Sequence, residues 1–163
     1  MMVMNIQVRF SVLDESPLSF GPVAIPPNQI FARSAHAFAF VNIKPVLDGH
    51  VLVAPVRAAK RMTDLTDEET SDVFCLAKRV QRMLEAHHGV DSSTVCVQDG
   101  PQSGQTIAHV HTHILPRRSG DFGGSTDTVY KELASHDRDD RKPRTKEDMA
   151  AEAAVYRKAF EGH

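Results

Sequence analysis

The stretch His109-Val110-His111-Thr112-His113-Ile114-Leu115-Pro116 constrains this chain more than any other. Its apolar end reads as the interior of a sheet, and side chains along a strand alternate between two faces. A strand over 109–115 therefore places His109, His111 and His113 on one face and Val110, Thr112 and Ile114 on the other. Three imidazoles in a row make a poor core, because each buried ring nitrogen needs a hydrogen-bond partner. Three uses of such a row remain open. The rings can be exposed and idle. They can hold zinc, since two histidines at i and i+2 can chelate it with a further ligand. Or they can form a phosphate site with a histidine nucleophile, because an imidazole titrates at about 6.5 and is largely neutral at neutral pH.

The preceding loop favours the phosphate site. Gly104-Gln105-Thr106-Ile107 offers a glycine that permits close backbone approach, together with amide and hydroxyl donors. No Asp or Glu lies between Asp99 and Asp121. A segment with nitrogen and hydroxyl groups but no carboxylate suits an anion better than a hard cation.

The other elements supply a frame for this row. Residues 30–41 are rich in Phe and Ala and read as a strand with Phe38 and Phe40 on one side. Pro45, Asp48 and Gly49 mark a turn, and 50–55 reads as the second strand of a hairpin. Residues 66–88 form the clearest helix. Thr66 and Glu69 fit a capping box, Val73, Leu76, Ala77, Val80 and Leu84 share one face, and Gly89 suits the C-terminal cap. His87 and His88, in the last turn, read as surface or capping residues. A further strand is expected over 94–98. Residues 117–144 are charged and turn-rich and read as a mobile surface loop. Thr145 with Asp148 caps a C-terminal helix over 146–161, with Met149, Ala153, Tyr156 and Phe160 on its apolar face. The expected fold class is α+β, an antiparallel sheet with one long helix and a C-terminal helix. Residues 1–19 read as an N-terminal extension and 20–163 as a single domain.

Composition narrows the partners. A net charge of −2 gives no basic field for a nucleic acid. No apolar run approaches the roughly 20 residues that span a bilayer, and the N-terminus does not read as a signal peptide. Cys75 and Cys96 form no C-x-x-C motif and read as reduced, buried thiols. These features lead to an expectation of a cytoplasmic protein without a membrane or nucleic-acid partner.

With these residues in view, the chain resembles the histidine triad (HIT) family. HVHTHILP matches the His-φ-His-φ-His-φ-φ signature. NIKPVLDGHVLVAP, QDGPQSGQTIAHVHTH and the tail RRSGDFGG…VYKELASHDRDD…MAAEAA resemble the fragile-histidine-triad (Fhit) branch, the dinucleoside-triphosphate hydrolases. The resemblance implies a HIT-like fold that dimerises by joining sheets across a two-fold axis. It implies a two-step reaction: His111 attacks the α-phosphorus of diadenosine triphosphate, ADP leaves, and the adenylyl-histidine is hydrolysed to AMP. By the same resemblance, His113 contacts the α-phosphate, His109 orients its neighbours, and His50 supports the triad. Asn42 holds the ribose, Gln98 lies near the phosphates, and Gly104, Gln105, Thr106 and Ile107 form the phosphate loop. Tyr130 resembles a loop tyrosine that is phosphorylated in some members. Magnesium or manganese is expected on the polyphosphate, with no dedicated metal site in the protein. Nucleoside phosphoramidate hydrolysis and a nucleotide-binding signalling role are the alternatives.

Three positions depart from the pattern. Thr112 stands where the signature has an apolar residue. Val23 stands where the branch usually has a histidine that contacts substrate. Phe122-Gly-Gly-Ser125 replaces a more basic sequence.

Overall fold

A computed structural model describes residues 16–135 and 140–162. Five antiparallel strands form the main sheet: β3 (Ile30–Arg33), β4 (Ala37–Val41), β5 (Val51–Pro55), β6 (Ser92–Val97) and β7 (Thr112–Arg117), in the order β3-β4-β5-β7-β6. A separate hairpin pairs β1 (Leu18–Phe20) with β2 (Val23–Ile25). Three α-helices are found among the described residues: α1 (Asp67–His88), α2 (Thr128–Ser135) and α3 (Lys146–Glu161). The α+β architecture, with an antiparallel sheet, one long helix and a C-terminal helix, is the one expected.

The alternation of side chains divides the sheet into two working faces. Val51 pairs with Ile114 and Val53 with Thr112. Val51, Val53 and Ile114 join Phe31, Leu76, Val80, Leu84, Ala153, Tyr156 and Phe160 in the main core, beneath α1 and α3. On the opposite face Phe38, Phe40, Leu52 and Ala54 gather with Phe20, Ile25 and Ile30 under the hairpin. Leu52 pairs with His113, and His113 with Cys96, so the histidine lies on this second face. Further along β7, Leu115 is covered by Val129 and Leu133 of α2. The hairpin and α2 thus flank the histidine row.

Both helix caps form as their residues imply. Thr66 accepts from the Glu69 N–H, and Glu69 accepts from the Thr66 N–H. Gly89 ends α1 in the left-handed region, at φ 62°. Thr145 accepts from the Asp148 N–H at the start of α3, and Met149, Ala153, Tyr156 and Phe160 are all buried.

Several expectations need correction. Residues 30–41 are two strands. The chain turns at 34–36, where Asp72 of α1 accepts from the Ser34 hydroxyl (2.6 Å) and the His36 N–H (2.7 Å). The last strand starts at Thr112 rather than His109. The N–H of His109 bonds to Ile107 and that of Val110 to Ala59, both at 2.8 Å, so this stretch stands outside the sheet ladder. Leu18 and Ser19 belong to β1, so the expected extension over 1–19 runs into the fold; its residues 1–15 lie outside the described residues. The segment 117–144, expected as a loop, carries a short 3-10 turn at Asp121–Gly124 and all of α2. Val129 and Leu133, four residues apart, bury one face of α2 among charged neighbours. Residues 136–139 of that segment lie outside the description. His88 is not a surface residue: its Nε2 lies 3.0 Å from the Tyr156 hydroxyl, and burial lowers its pKa. Cys75 and Cys96 are half-buried free thiols.

Candidate active site

The three histidines are brought together, although only His113 stands in regular strand. His109, His111 and His113 are buried, as is His50 just before β5. The rings of His111 and His113 meet edge to face with centroids 4.8 Å apart. Phe20 from the hairpin closes over the row, 5.0 Å from His111 and 5.5 Å from His109.

Hydrogen bonds assign each ring a tautomer, because backbone N–H groups only donate and carbonyls only accept. His109 Nδ1 accepts from the Gly21 N–H (3.1 Å), and its Nε2–H donates to the Pro55 carbonyl (2.8 Å). Burial depresses the His109 pKa, against the opposing effect of the Pro55 bond, and favours the neutral ring. His111 donates Nδ1–H to the His109 carbonyl (2.8 Å). The lone pair of neutral His111 therefore resides on Nε2. His111 also lines the cleft beside the hairpin.

A second chain of bonds reaches His113. The Val46 N–H donates to His50 Nδ1 (3.2 Å), which leaves His50 with its proton on Nε2. That proton is donated to His113 Nδ1 (2.9 Å). Neutral His113 consequently carries its own proton on Nε2. One ring of the pair thus has a nucleophilic Nε2 and the other a donor Nε2–H, which is the complementary set for attack on a phosphoryl group.

This arrangement opposes the zinc reading of the triple. Both ring nitrogens of His109 are committed to backbone partners, so it cannot ligate without breaking them. Among the described residues, no group of three or more His, Cys, Asp or Glu is placed to hold a metal.

The loop before the triad is braced largely by its own backbone. Ser103 N–H and Gln105 N–H bond to the Gly100 carbonyl, and Gly104 N–H to that of Pro101. The Gln105 amide accepts from the Gly100 N–H (2.7 Å) and donates to the Lys60 and Ile107 carbonyls (2.9 Å each). Gln105 therefore shapes the loop with its side chain. Gly104, at φ 91°, lies against Gln98, and a Cβ there would come within 2.7 Å of Gln98 Nε2. Thr106 is exposed, and Ile107 lines the cleft. Asp99, just before the loop, is bound by Arg61 and the Met62 N–H, which lower its pKa.

A cleft of about 590 Å³ opens beside His111. Its walls are mainly apolar and include Phe20, Ile25, Phe40, Leu52 and Ile107, with Asn42, Gln29 and Arg144 among its polar groups. Asn42 Oδ1 accepts from the Lys44 N–H (2.9 Å), and its amide nitrogen lies 3.4 Å from His50 Nε2. Val23 stands on the rim. Tyr130, exposed on α2, faces a different surface groove with Arg117 and Arg118.

Phe20, Gly21 and Arg144 were not identified from sequence as parts of this site. Gly21 gives its N–H to His109, and a Cβ on it would lie 2.6 Å from Ile107 Cγ2. Arg144 bonds through its N–H to the Ile43 carbonyl (2.9 Å) and through its guanidinium to Glu152. A single Phe-Gly pair and one arginine in a charged run carry no signal of these contacts.

Comparison with known proteins agrees with this geometry. Residues 25–120 match the HIT domain. The chain is 59% identical over 141 residues to the nitrilase and fragile histidine triad fusion protein NitFhit of Caenorhabditis elegans, covering 86% of this chain but only 32% of that one. It is 43% identical over 155 residues to the bifunctional bis(5'-adenosyl)-triphosphatase/adenylylsulfatase FHIT of Arabidopsis thaliana, covering 90% and 86%. The crystal structure of Plasmodium falciparum diadenosine triphosphate hydrolase superposes with a TM-score of 0.77 at 25% identity, over 94% of this chain and 90% of that one. The chain belongs to the histidine triad family, in its fragile-histidine-triad branch.

Proposed function

We propose that this chain hydrolyses dinucleoside polyphosphates, taking diadenosine triphosphate to AMP and ADP. The observation that carries the reading is the tautomer of His111, whose Nδ1–H is held by the His109 carbonyl and whose Nε2 therefore bears the lone pair. Nε2 attacks the α-phosphorus, a P–N bond forms, and the P–O bond to the leaving ADP breaks. Water then attacks the same phosphorus, the P–N bond breaks, and AMP departs. Splitting the displacement in two lowers each barrier. His113 Nε2–H donates to the α-phosphate oxygen as charge builds there. His109 holds His111 through its carbonyl, and His50 holds His113.

The apolar cleft receives one nucleoside, with Asn42 at the ribose. In this reading Gln98, beside Gly104, lies near the polyphosphate, Ile107 continues the wall of the cleft, and exposed Thr106 adjoins it in the loop. The two named relatives that the chain largely spans act on bis-adenosyl or diadenosine triphosphate by their descriptions, which supports the same substrate class here. Magnesium or manganese, carried by the phosphates, would neutralise the leaving group. Asp99 is the carboxylate adjoining the loop, and Arg61 occupies it.

The working assembly is a homodimer, for which β6 is the available edge: it is a terminal strand of the sheet and leaves Val95 exposed. No helix among the described residues is long and apolar enough to cross a membrane, and the chain works in the cytoplasm.

The test is chromatographic analysis of products from diadenosine triphosphate with magnesium. Wild type is expected to release AMP and ADP in equal amounts, and His111→Asn almost none while remaining folded. Equal turnover by the two proteins would refute the assignment.

A further inference from the structure

Gln29 has a buried side chain that the fold itself does not use. It closes the 3-10 turn Pro27–Gln29 between the hairpin and the main sheet, and is only 6% exposed. Its backbone N–H bonds to the Pro26 carbonyl (3.0 Å). Among the described residues, its side-chain amide makes no hydrogen bond. A carboxamide withdrawn from water without a partner is costly. The amide is not sealed inside the protein, and the cleft beside His111 is an opening it lines. The same cleft is lined by Phe20, Ile25 and Phe40, flat or branched apolar groups suited to the faces of a heterocyclic base.

We infer that Gln29 is a specificity-determining residue that reads the edge of the nucleobase in this cleft and selects adenine over guanine. The inference rests on the hydrolase reading above. A carboxamide presents one acceptor and one donor side by side. Adenine offers the complementary pair, the N6 amino donor next to the N7 acceptor. Guanine offers two acceptors there, O6 and N7, and sets one against the amide oxygen. The selection acts on binding, because the base is remote from the phosphorus that reacts.

The test compares kcat and KM for diadenosine and diguanosine triphosphates in wild type, Gln29→Leu and Gln29→Met. Methionine keeps the length and flexibility of the side chain, so it is the gentler change if leucine unsettles the turn. Wild type is expected to favour the adenine substrate. Both variants are expected to lose roughly ten- to a hundred-fold of that preference, through a raised KM for the adenine substrate with kcat retained. An unchanged preference in folded Gln29→Met would overturn the inference, as would an equal loss on both substrates. Calorimetric binding of AMP and GMP to the same proteins supplies the ratio without turnover. A wild type that binds AMP selectively, loses this selectivity in Gln29→Met, and cleaves neither dinucleotide would uphold the base-reading role and refute the hydrolase reading.

Discussion

His50 Nε2 lies 2.9 Å from Nδ1 of His113, and the Val46 N–H at the other side of the His50 ring fixes the direction of that bond. The pair transmits a protonation state from a backbone amide to His113 Nε2, the donor assigned to the α-phosphate in the proposed reaction. Replacing His50 with Phe keeps the ring volume and removes the relay. A fall of roughly ten- to a hundred-fold in kcat is expected, as for partners that orient metal-bound imidazoles, with KM much less affected. Nitrogen-15 NMR of the His113 ring reports the tautomer directly. Wild-type turnover with an unaltered His113 spectrum would show that the relay is unnecessary.

Gly21 combines a positive φ of 56° with a contact that leaves no room for a side chain. Gly21→Ala must both strain the backbone and displace Ile107, whose Cγ2 would lie 2.6 Å from the new Cβ. A loss of about 1–3 kcal/mol is expected, read as a lower urea midpoint at constant slope. Activity should fall as well, since the Gly21 N–H holds His109. A stable, fully active Gly21→Ala protein would contradict this account of the hairpin.

Acid stability should depend on Glu69. Its two carboxylate oxygens receive the Arg57 guanidinium at 2.7 Å, and the Thr66 N–H adds a third bond. Arg57 first and then Thr66 hold its pKa at about 2, against an ordinary 4.5. A carboxyl that is more acidic when folded contributes stability above pH 4.5 and loses it as pH falls through 2. The melting temperature of Glu69→Gln should therefore approach that of wild type between those limits. Arg57 is half-exposed, so added salt should shrink the difference. Parallel melting curves across this window would remove Glu69 from the acid response.

Tyr156 joins the two long helices through its hydroxyl, which lies 3.0 Å from His88 Nε2 and donates to Glu152 at 3.1 Å. Its ring is buried against Phe31. Tyr156→Phe keeps the ring and leaves His88 and Glu152 without this partner. A cost of about 1–3 kcal/mol is expected, measured by urea unfolding. A variant as stable as wild type would mean that water replaces the hydroxyl.

Much of the frame was legible because its signals are local. Thr66, Glu69, Gly89 and Thr145 act within one turn of their own helix, and Met149, Ala153, Tyr156 and Phe160 repeat at helical spacing. The grouping of His109, His111 and His113 was also readable, although regular strand begins only at Thr112. What escaped reading depends on long-range contacts. The break at 34–36 is set by Asp72, far along the chain. α2 emerges because Val129 and Leu133 find Leu115. His88 looked exposed because nothing in its own helix announces Tyr156, and Gln29 looked ordinary because its cleft is assembled from distant segments. Gln105 was read as a phosphate donor from its neighbours in sequence, whereas its side chain ties the loop to Lys60 and Gly100.

The β1–β2 hairpin is a two-stranded ribbon apart from the main sheet, yet it supplies Phe20 and Gly21 to the histidine row. A ribbon of that size has little stability of its own. It should detach at a lower cost than the five-stranded sheet can be unravelled. Heat inactivation should then run ahead of global melting, with the backbone amide of Gly21 exchanging its hydrogen before those of β5 and β7.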